Sequence, residues 1–414
     1  MSAPDPLDVA AIKKDFPILE REVHGGRLVY LDSANTSQKP QAVLDAITTY
    51  YERSNANVHR GTYLIAEEAT AALEGARAKV ARFIGAANPR EVVFTKNATE
   101  ALNLVAKAWG RSHLQRGDAV VLTELEHHAN IVPWHQLVDE IGIELRWLPV
   151  GSDGHVDLSH LDRTLDGAKV LSFTAMSNVL GTLLPVERLV RAAHDAGALA
   201  VVDASQHVPH VTTDVQAWGA DFVAFTGHKM LGPTGIGVLH GTEAVLDDTP
   251  PFLTGGEMIL NVTKEGFTHN ELPWKFEAGT PPIAEAVGLG AAVDYLTGLG
   301  MDAVREHEVA LTAYTLRTLE ERFGDDLTVH GPSEPAERGG VLSFSYKDIH
   351  PHDLTQVFDQ HGVCVRAGHH CAKVLMRELG VSATARASLY VYNDEADVDA
   401  MADAITAAGE FFAV

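Results

Sequence analysis

The central part of the chain alternates short apolar runs with amphipathic segments. Runs of this kind, β-branched and bounded by Gly, Asn or Asp, are typical of strands buried on both faces of a sheet. The segments between them, such as 98–111 and 186–197, carry apolar residues at helical spacing. This alternation predicts an α/β fold with a largely parallel, helix-covered sheet. The strand-like runs are residues 91–95, 119–125, 169–176, 198–205, 221–229 and 235–241.

The pattern changes after about residue 300. A long helical pattern over 301–323 precedes two apolar-alternating runs, 339–347 and 361–368, and a final helix begins at about residue 394. Helices and strands in this order are typical of a second, smaller α+β unit.

The length of the chain also predicts two domains, because 414 residues exceed what one core usually serves. We expect a large domain over residues 22–298 and a small domain made of 1–21 and 299–414. The placement of the N-terminal helix "DVAAIKKDF" in the small domain is a hypothesis.

The charge of the chain excludes some partners. With 32 basic and 56 acidic side chains the net charge is −24, which disfavours nucleic acids and anionic membranes. So acidic a surface suits a salt-rich cytosol, where ions screen self-repulsion, and urea stability that did not rise with KCl would contradict this halophile hypothesis. The start lacks a signal-peptide pattern and no run approaches the ~18 apolar residues of a membrane span, so a cytoplasmic location is expected.

The chain has two cysteines, Cys364 and Cys371. Their C-x6-C spacing matches no common zinc pattern, and two cysteines cannot form a disulfide framework. A structural metal is therefore not expected. The alternatives that stay open for Cys371 are a buried core residue and a nucleophile.

Polar residues follow several predicted strands at their carboxyl ends, where open α/β sheets bind ligands. In "TKNATEALNLVA" a strand ends, a short turn follows and a helix begins, so Thr99 and the amides of Ala98 and Thr99 form a candidate phosphate site. The alternative is an ordinary helix N-cap.

Two further residues stand at strand ends. Asp203 ends the run "LAVVD", where a buried carboxylate requires a cation or a donor, so it is either a catalytic partner or a structural cap. Lys229 follows "FVAFTGH" within a glycine-rich loop, and it is either a nucleophilic amine or a surface lysine. A phosphate site, an acid for a pyridinium nitrogen and a lysine for a Schiff base are together what pyridoxal 5'-phosphate requires.

Several longer motifs extend this picture. They are "DASQ…TGHKMLGPTGIGVL", "ELEHHANIVPW", "NANVHRGTY", "FEAGTPP" and "RAGHHCA…TARASLYVYN". From about residue 12 to the C-terminus the chain resembles the SufS-type cysteine desulfurases of the fold-type I, class-V aminotransferase superfamily. The resemblance implies a large domain with a mainly parallel seven-stranded sheet and a smaller α+β domain.

The resemblance also implies cofactor-binding roles. Lys229 would form the Schiff base with pyridoxal phosphate, Asp203 would hold the pyridine nitrogen, Gln206 the phenolic oxygen, and His127 would stack on the ring and shuttle protons. The phosphate positions of the family correspond to Ala98, Thr99, Thr226, His228 and Thr280. The family supplies the threonine at position 280 from the neighbouring subunit, which implies a homodimer.

The remaining implied roles concern the substrate. Asn178 would lie beside the cofactor and the substrate, Arg386 would bind the substrate carboxylate through a bidentate fork, and Arg366 would have a supporting role. Cys371 follows Arg366 and two histidines on a loop loosened by glycine, a setting that favours a reactive thiolate, so we predict that it is the nucleophile. Cys364, in the apolar-alternating "GVCVRAG", is predicted to be a buried strand residue.

The activity implied is conversion of L-cysteine to L-alanine, with the sulfur kept on Cys371 as a persulfide for an acceptor protein of iron–sulfur cluster assembly. Alternatives are a selenocysteine lyase or a related pyridoxal phosphate lyase of kynureninase type. A regulatory protein without turnover is disfavoured because every catalytic position is filled.

Two motifs depart from the family pattern. "LDSANTSQKP" stands where "LDNAATSQKP" is usual, and Lys373-Val374 stand where relatives often have Gln-Pro. Neither departure falls on a predicted catalytic residue. The second one affects the surface beside Cys371, so it leaves the identity of the acceptor open.

Overall fold

The structure, a computed structural model, describes residues 6–412. Within this part of the chain the strands form one seven-stranded, one four-stranded and three two-stranded sheets. The strands are β1 (Glu22–Val23), β2 (Gly26–Arg27), β3 (Val29–Tyr30), β4 (Val92–Thr95), β5 (Ala119–Thr123), β6 (Glu144–Leu148), β7 (Ala168–Thr174), β8 (Leu199–Asp203), β9 (Phe222–Thr226), β10 (Gly237–Gly241), β11 (Ile259–Val262), β12 (Phe267–His269), β13 (Leu327–His330), β14 (Val341–Tyr346), β15 (Val363–Cys364), β16 (Arg366–Gly368) and β17 (Thr384–Ser388).

Helices cover both the large and the small sheet. Among residues 6–412 no helix is long and apolar enough to span a lipid bilayer. The α-helices are α1 (Val9–Lys14), α2 (Gln41–Arg53), α3 (Leu64–Phe83), α4 (Ala98–Leu104), α5 (Arg111–His113), α6 (Val132–Glu140), α7 (Leu161–Leu165), α8 (Val186–Asp195), α9 (Val215–Trp218), α10 (Glu243–Asp248), α11 (Ile283–Leu299), α12 (Met301–Phe323), α13 (Pro351–Gln360), α14 (Lys373–Glu378) and α15 (Glu395–Phe411). A π-helical turn, Val105–Gly110, joins α4 to α5.

The large sheet has the strand order β4-β10-β9-β8-β7-β5-β6. Only β10 runs antiparallel to its neighbours, and the other strands share one direction. Every residue of β5, β9 and β10 is buried, as the apolar runs in the sequence predict. The predicted α/β fold with a mainly parallel seven-stranded sheet is confirmed.

The apolar-run pattern located six of these seven strands and missed β6. This strand lies at the edge of the sheet and only its last residue is buried. An edge strand with one solvated side can carry Glu144 and Arg146, so it lacks the continuous apolar run of a central strand.

The small unit contains the antiparallel sheet β13-β14-β17-β16. Its core includes Phe344, Ala385 and Ile405, together with Val29 and Leu31 from the N-terminal part of the chain. Strand β3 carries Val29 and pairs in parallel with β15, so this early segment is fastened to the small unit.

Helix α1 contacts the C-terminal part of the chain. Lys13 forms ion pairs with Asp394 and Asp397, at N–O distances of 2.6 Å and 3.0 Å. The ring of Phe16 packs edge-on against Tyr392, with centroids 4.9 Å apart. The division into 22–298 and 1–21 with 299–414 stays a prediction.

Candidate active site

A cavity of about 230 Å³ lies at the carboxyl ends of the parallel strands and is closed on one side by the small unit. A larger groove of about 870 Å³, lined by residues 158–167 and 188–196, contains none of the predicted site residues. The smaller cavity brings together all but one of them. These are Ala98, Thr99, His127, Asn178, Asp203, Gln206, Thr226, His228, Lys229, Arg366, Cys371 and Arg386.

Lys229 ends a single 3-10 turn, Gly227–Lys229, that directly follows β9. The turn is tight: a Cβ atom on Gly227 would lie 2.7 Å from Ile236 Cγ2, so only glycine fits there. The ammonium group borders the cavity but is enclosed by protein. This burial lowers the pKa of Lys229 to about 8, although the carboxylate of Asp203 opposes the shift. A substantial fraction of the amine is therefore neutral and nucleophilic near physiological pH.

Asp203 and Gln206 lie at the end of β8 and in the turn that follows. The Ser205 amide donates to Asp203 Oδ1 over 3.0 Å, and Gln206 Nε2 donates to the carbonyl of Ala34 over 2.8 Å. Gln206 Oε1 and Thr226 Oγ1 are buried without a hydrogen-bond partner among residues 6–412, although both residues line the cavity. Buried polar atoms normally have partners, so these two fit a polar ligand such as pyridoxal phosphate.

His127 follows β5, and its ring lines the cavity. Burial, and then the charge of Lys229, lower its pKa to about 3. The Ala129 amide donates to His127 Nδ1 over 3.1 Å, so the proton of the neutral ring is on Nε2. A neutral aromatic ring at this place is suited to stacking on a planar cofactor.

The preceding residue, Glu126, fixes the His127 turn. Its fully buried carboxyl accepts hydrogen bonds from Thr123 Oγ1, the Thr174 amide and Asn130 Nδ2, at distances from 2.5 to 2.9 Å. Burial raises the pKa of Glu126 to about 8, against the effect of these donors. The contacts tie the ends of β5 and β7 to the turn that carries His127.

The candidate phosphate site lies at the start of α4. Asn97 is the N-cap, and its side chain accepts a hydrogen bond from the Glu100 amide over 2.9 Å. The cap occupies the Glu100 amide, while the first amides of the helix, those of Ala98 and Thr99, have no intrahelical partner. The N-cap is therefore observed, and the phosphate site stays a prediction. Thr226 and His228 border the same cavity, and burial lowers the pKa of His228 to about 4.

Arg386 lies on β17 and is fully buried. Its guanidinium group donates to the Asn178 carbonyl over 2.9 Å and to Asp32 Oδ1 over 3.2 Å. Burial lowers its pKa to about 10, with Asp32 opposing the shift, so the group stays charged at neutral pH. Its Nε has no partner among residues 6–412, which leaves a donor for an anionic ligand.

Cys371 lies on a loop between β16 and α14, and its thiol reaches the cavity. Arg366 Nη2 is 3.8 Å from Cys371 Sγ. His370 and Cys371 have φ angles of 52° and 57°, in the left-handed region that residues with a Cβ rarely adopt. Two hydrogen bonds tie this loop to the large unit, from Asn178 Nδ2 to the His370 carbonyl and from the His128 amide to the Cys371 carbonyl.

The two remaining residues of the sequence analysis, Cys364 and Thr280, lie outside the cavity. Cys364 is a partly buried residue of β15 outside the cavity, and burial raises the pKa of its thiol. Thr280 is exposed and does not line the cavity of its own chain. Its assignment to a neighbouring subunit stays a prediction.

Asp32, Ala34 and Asn35 are among the residues at the site that the sequence-based prediction missed. Ala34 and Asn35 line the cavity, and Asp32 contacts Arg386. The available signal was the polar stretch "DSAN" directly after the short apolar run that forms β3. Ligand-binding residues often follow strand ends, and this segment follows the end of β3.

The fold and the cavity together define a pyridoxal phosphate enzyme of fold type I. The family model "Aminotransferase class-V" matches residues 29–401. The chain therefore belongs to the class-V aminotransferase family, and the curated relatives below carry the name cysteine desulfurase. Pyridoxal phosphate is confirmed as its cofactor.

Two curated relatives illustrate the similarity. The chain is 54% identical to a probable cysteine desulfurase of Streptomyces coelicolor over 415 residues, which cover 99% of both chains. It is 50% identical over 410 residues to a probable cysteine desulfurase of Halobacterium salinarum, with 99% of this chain and 98% of the relative covered.

Solved structures agree with the fold. The apo cysteine desulfurase of Thermococcus onnurineus has a TM-score of 0.92 at 38% identity, with 97% of this chain and 98% of that chain covered. The cysteine desulfurase CsdA of Escherichia coli, solved as an S-sulfonic acid, has a TM-score of 0.89 at 35% identity. The match covers 98% of this chain and 100% of that chain. The predicted resemblance to cysteine desulfurases is confirmed, and the SufS type stays a prediction.

Proposed function

We propose that this chain is a SufS-type cysteine desulfurase, which converts L-cysteine to L-alanine and keeps the sulfur as a persulfide on Cys371. The observation that carries the proposal is the presence of a buried amine, Lys229, a thiol, Cys371, and a guanidinium group, Arg386, on one cavity. An amine for proton transfer, a sulfur acceptor and a carboxylate receptor are what this reaction requires of the protein.

The residues that would hold the cofactor lie around Lys229. Asp203 would hold the pyridine nitrogen, Gln206 the phenolic oxygen, and His127 the face of the ring, while the phosphate would meet the start of α4, Thr226 and His228. When bound, pyridoxal phosphate supplies an electron sink for the carbanion formed at the substrate Cα. The orphaned Gln206 Oε1 and Thr226 Oγ1 support this arrangement.

Lys229 would carry the proton at Cα. Its pKa of about 8, set by burial, makes the amine basic enough to take this proton and acidic enough to return it near neutral pH. Arg386 would hold the substrate carboxylate and so fix which substrate bond faces Lys229. Its buried position supports this role, since an enclosed guanidinium binds a carboxylate strongly.

Cys371 would accept the sulfur. Its thiolate attacks the substrate sulfur, an S–S bond forms, the Cβ–S bond breaks, and the electron pair of that bond stays with the carbon fragment. The carbon fragment takes up one proton at Cβ, which balances the proton released when the Cys371 thiol ionises. The products are alanine and a persulfide, without an external oxidant or reductant.

We also propose a cytoplasmic homodimer that passes its persulfide sulfur to an acceptor protein for iron–sulfur cluster assembly. Two observations support the dimer. Exposed apolar side chains cluster on the β11–β12 hairpin, at Leu260, Val262 and Phe267, and Thr280 is exposed although the resemblance gives it a cofactor contact. Both fit a surface that a second copy covers.

The decisive experiment follows sulfur and carbon in one sample. The purified holoenzyme is incubated with L-cysteine, alanine is quantified, and the Cys371 peptide is examined by mass spectrometry for one added sulfur. We expect both products in the wild type and in Cys364→Ala, a matched control whose thiol lies outside the cavity. Alanine without added sulfur on Cys371 would contradict the mechanism, and release from selenocysteine alone would favour a selenocysteine lyase.

A further inference from the structure

The two arginines of the cavity are direct neighbours in the small sheet. Arg366 on β16 pairs with Arg386 on β17 in the antiparallel register. Like charges directly opposite one another destabilise a sheet, and the charge of Arg366 contributes to the lowered pKa of Arg386. Something must therefore hold two guanidinium groups side by side and direct them to different targets.

Asp32 contacts Arg386, and Asn35 contacts Arg366. We call these two residues the Asp32–Asn35 pair. Asp32 Oδ1 accepts a hydrogen bond from Arg386 Nη2 over 3.2 Å, and Asn35 Oδ1 accepts one from Arg366 Nη1 over 3.0 Å. Asn35 Nδ2 donates to Asp32 Oδ2 over 3.0 Å, so the two residues are also joined to each other. Within residues 6–412, Asp32 is the only carboxylate at ion-pair distance from Arg386, and Arg366 has none.

These contacts leave each arginine with at least one nitrogen that they do not use. Arg366 uses Nη1 for Asn35, while its Nη2 lies 3.8 Å from the sulfur of Cys371. Arg386 uses Nη1 and Nη2 for the protein, and its Nε has no partner among residues 6–412. The Asp32–Asn35 pair thus keeps the two arginines apart in their tasks, with Arg366 beside the Cys371 sulfur and Arg386 for the substrate.

We propose that the Asp32–Asn35 pair is a positioning unit: Asn35 holds Arg366 beside the sulfur of Cys371, and Asp32 holds Arg386 for the substrate carboxylate. The roles of the two arginines rest on the proposed function. The pair itself touches neither sulfur nor substrate and acts through the guanidinium groups. Its two halves have separable effects, Asn35 on the reactivity of the thiol and Asp32 on the binding of the substrate.

The test compares Asn35→Ala with Gln38→Ala. Gln38 is the matched control because it lies on the same segment and its side-chain amide makes no hydrogen bond to residues 6–412. In the holoenzyme, the iodoacetamide alkylation rate of Cys371 is measured by peptide mass spectrometry at neutral pH, together with kcat and KM for L-cysteine. We expect Asn35→Ala to lower alkylation and kcat about threefold to tenfold with KM within about twofold, and Gln38→Ala to match the wild type.

Asp32→Asn tests the other half of the pair. We expect it to raise KM for L-cysteine about tenfold, since Arg386 loses the carboxylate that orients it, while alkylation of Cys371 changes less. A double-mutant cycle with Arg366→Ala separates positioning from a general structural role. Asn35→Ala should have no further effect on alkylation in the Arg366→Ala background.

Either of two results would overturn the proposal. One is wild-type alkylation in Asn35→Ala, and the other is an undiminished Asn35→Ala effect in the Arg366→Ala background. If Asn35→Ala fails to fold by circular dichroism, Asn35→Ser replaces it, since the shorter side chain also cannot reach Arg366. Alkylation needs no turnover, so a wild type that releases no alanine would refute the proposed function and leave this test intact.

Discussion

The two groups of the cavity that we propose to react, the Lys229 amine and the Cys371 thiol, are held in contrasting ways. Lys229 sits on a short turn between two fully buried strands, β9 and β10. The carbonyl of the preceding residue, His228, accepts four hydrogen bonds from Thr36, Ser37 and Lys39, at 2.9 to 3.1 Å. The turn that carries the amine is thus held by the large sheet and by the N-terminal segment.

Cys371 sits on a loop with two consecutive left-handed residues, held to the large unit by one hydrogen bond from Asn178 and one from His128. Lys229 and Cys371 are both half-buried residues, but Lys229 closely follows a fully buried strand, whereas Cys371 follows the half-buried strand β16. A proton carrier needs a constant position and a dry surrounding, while a sulfur carrier must reach both the substrate and a partner outside. The two anchoring modes suit these two tasks.

The largest expected effect comes from removing the fixed amine. Lys229→Ala should lower alanine formation from L-cysteine on the order of 10³-fold or more, because no other residue of the cavity carries an amine. The visible absorbance of the bound cofactor, and its loss on borohydride reduction, should disappear as well. Substantial turnover in this variant would show that the Lys229 amine is not catalytic.

Removing the Cys371 thiol should separate the effects of the two regions. Cys371→Ala should abolish the persulfide and lower alanine formation by about 10²-fold or more, yet leave the cofactor spectrum unchanged. Cys364→Ala, with the second cysteine of the chain replaced, serves as the control and should retain activity. A changed spectrum in Cys371→Ala would mean that the loop also shapes the cofactor site.

A smaller effect is expected from loosening the Cys371 loop. Asn178→Ala removes the 2.8 Å hydrogen bond to the His370 carbonyl but retains the backbone carbonyl that Arg386 contacts. Persulfide formation in a single turnover should slow about tenfold, as one hydrogen bond to a strained loop is lost. Rapid-quench mass spectrometry measures this rate, and unchanged kinetics would show that the loop needs no such tether.

The pH dependence of the enclosed amine gives a finer test. Burial places the pKa of Lys229 near 8, so capture of added pyridoxal phosphate by the apoprotein should accelerate as pH rises through about 8 and then level off. Arg386 is one of the charges that lower this pKa, so Arg386→Gln should move the midpoint to higher pH. Stopped-flow absorbance records the midpoint, and a shift to lower pH would contradict the electrostatic account.

The smallest effect concerns the clamp on the Lys229 turn. Buried Ser37 donates to the His228 carbonyl and accepts from the Leu231 amide over 2.8 Å. Ser37→Ala leaves this buried amide unsatisfied and should lower the free energy of unfolding by about 1–3 kcal/mol in urea titrations. Ser54→Ala, at a more exposed serine, should stay within about 0.5 kcal/mol.

Much of this molecule could be predicted locally. Apolar runs alternating with helical patterns predicted the sheet, and polar residues at strand ends predicted Thr99, Asp203 and Lys229, because the carboxyl ends of parallel strands meet at one edge. The resemblance to the family added site residues that no local sequence pattern singles out, among them His127 and Arg386. Strand β6 was missed because its edge position relaxes the apolar pattern.

The contacts of the Asp32–Asn35 pair were beyond the reach of local patterns. Asn35 and Arg366 are 331 residues apart in sequence, and Asp32 and Arg386 are 354 residues apart. They meet because β3 pairs with β15 and delivers the following segment to the small sheet. No periodicity in either segment indicates this pairing, since a two-residue strand carries almost no pattern.

The sequence by itself therefore determined the large sheet and indicated the strand ends that carry the groups proposed to react, since these depend on residues close together in the chain. Only the tertiary structure decided how Asp32 and Asn35 hold two neighbouring arginines and how the Cys371 loop is tethered. Both features arise from packing between segments that are far apart in the sequence. Which groups pair there depends on hydrogen-bond geometry over a few ångströms.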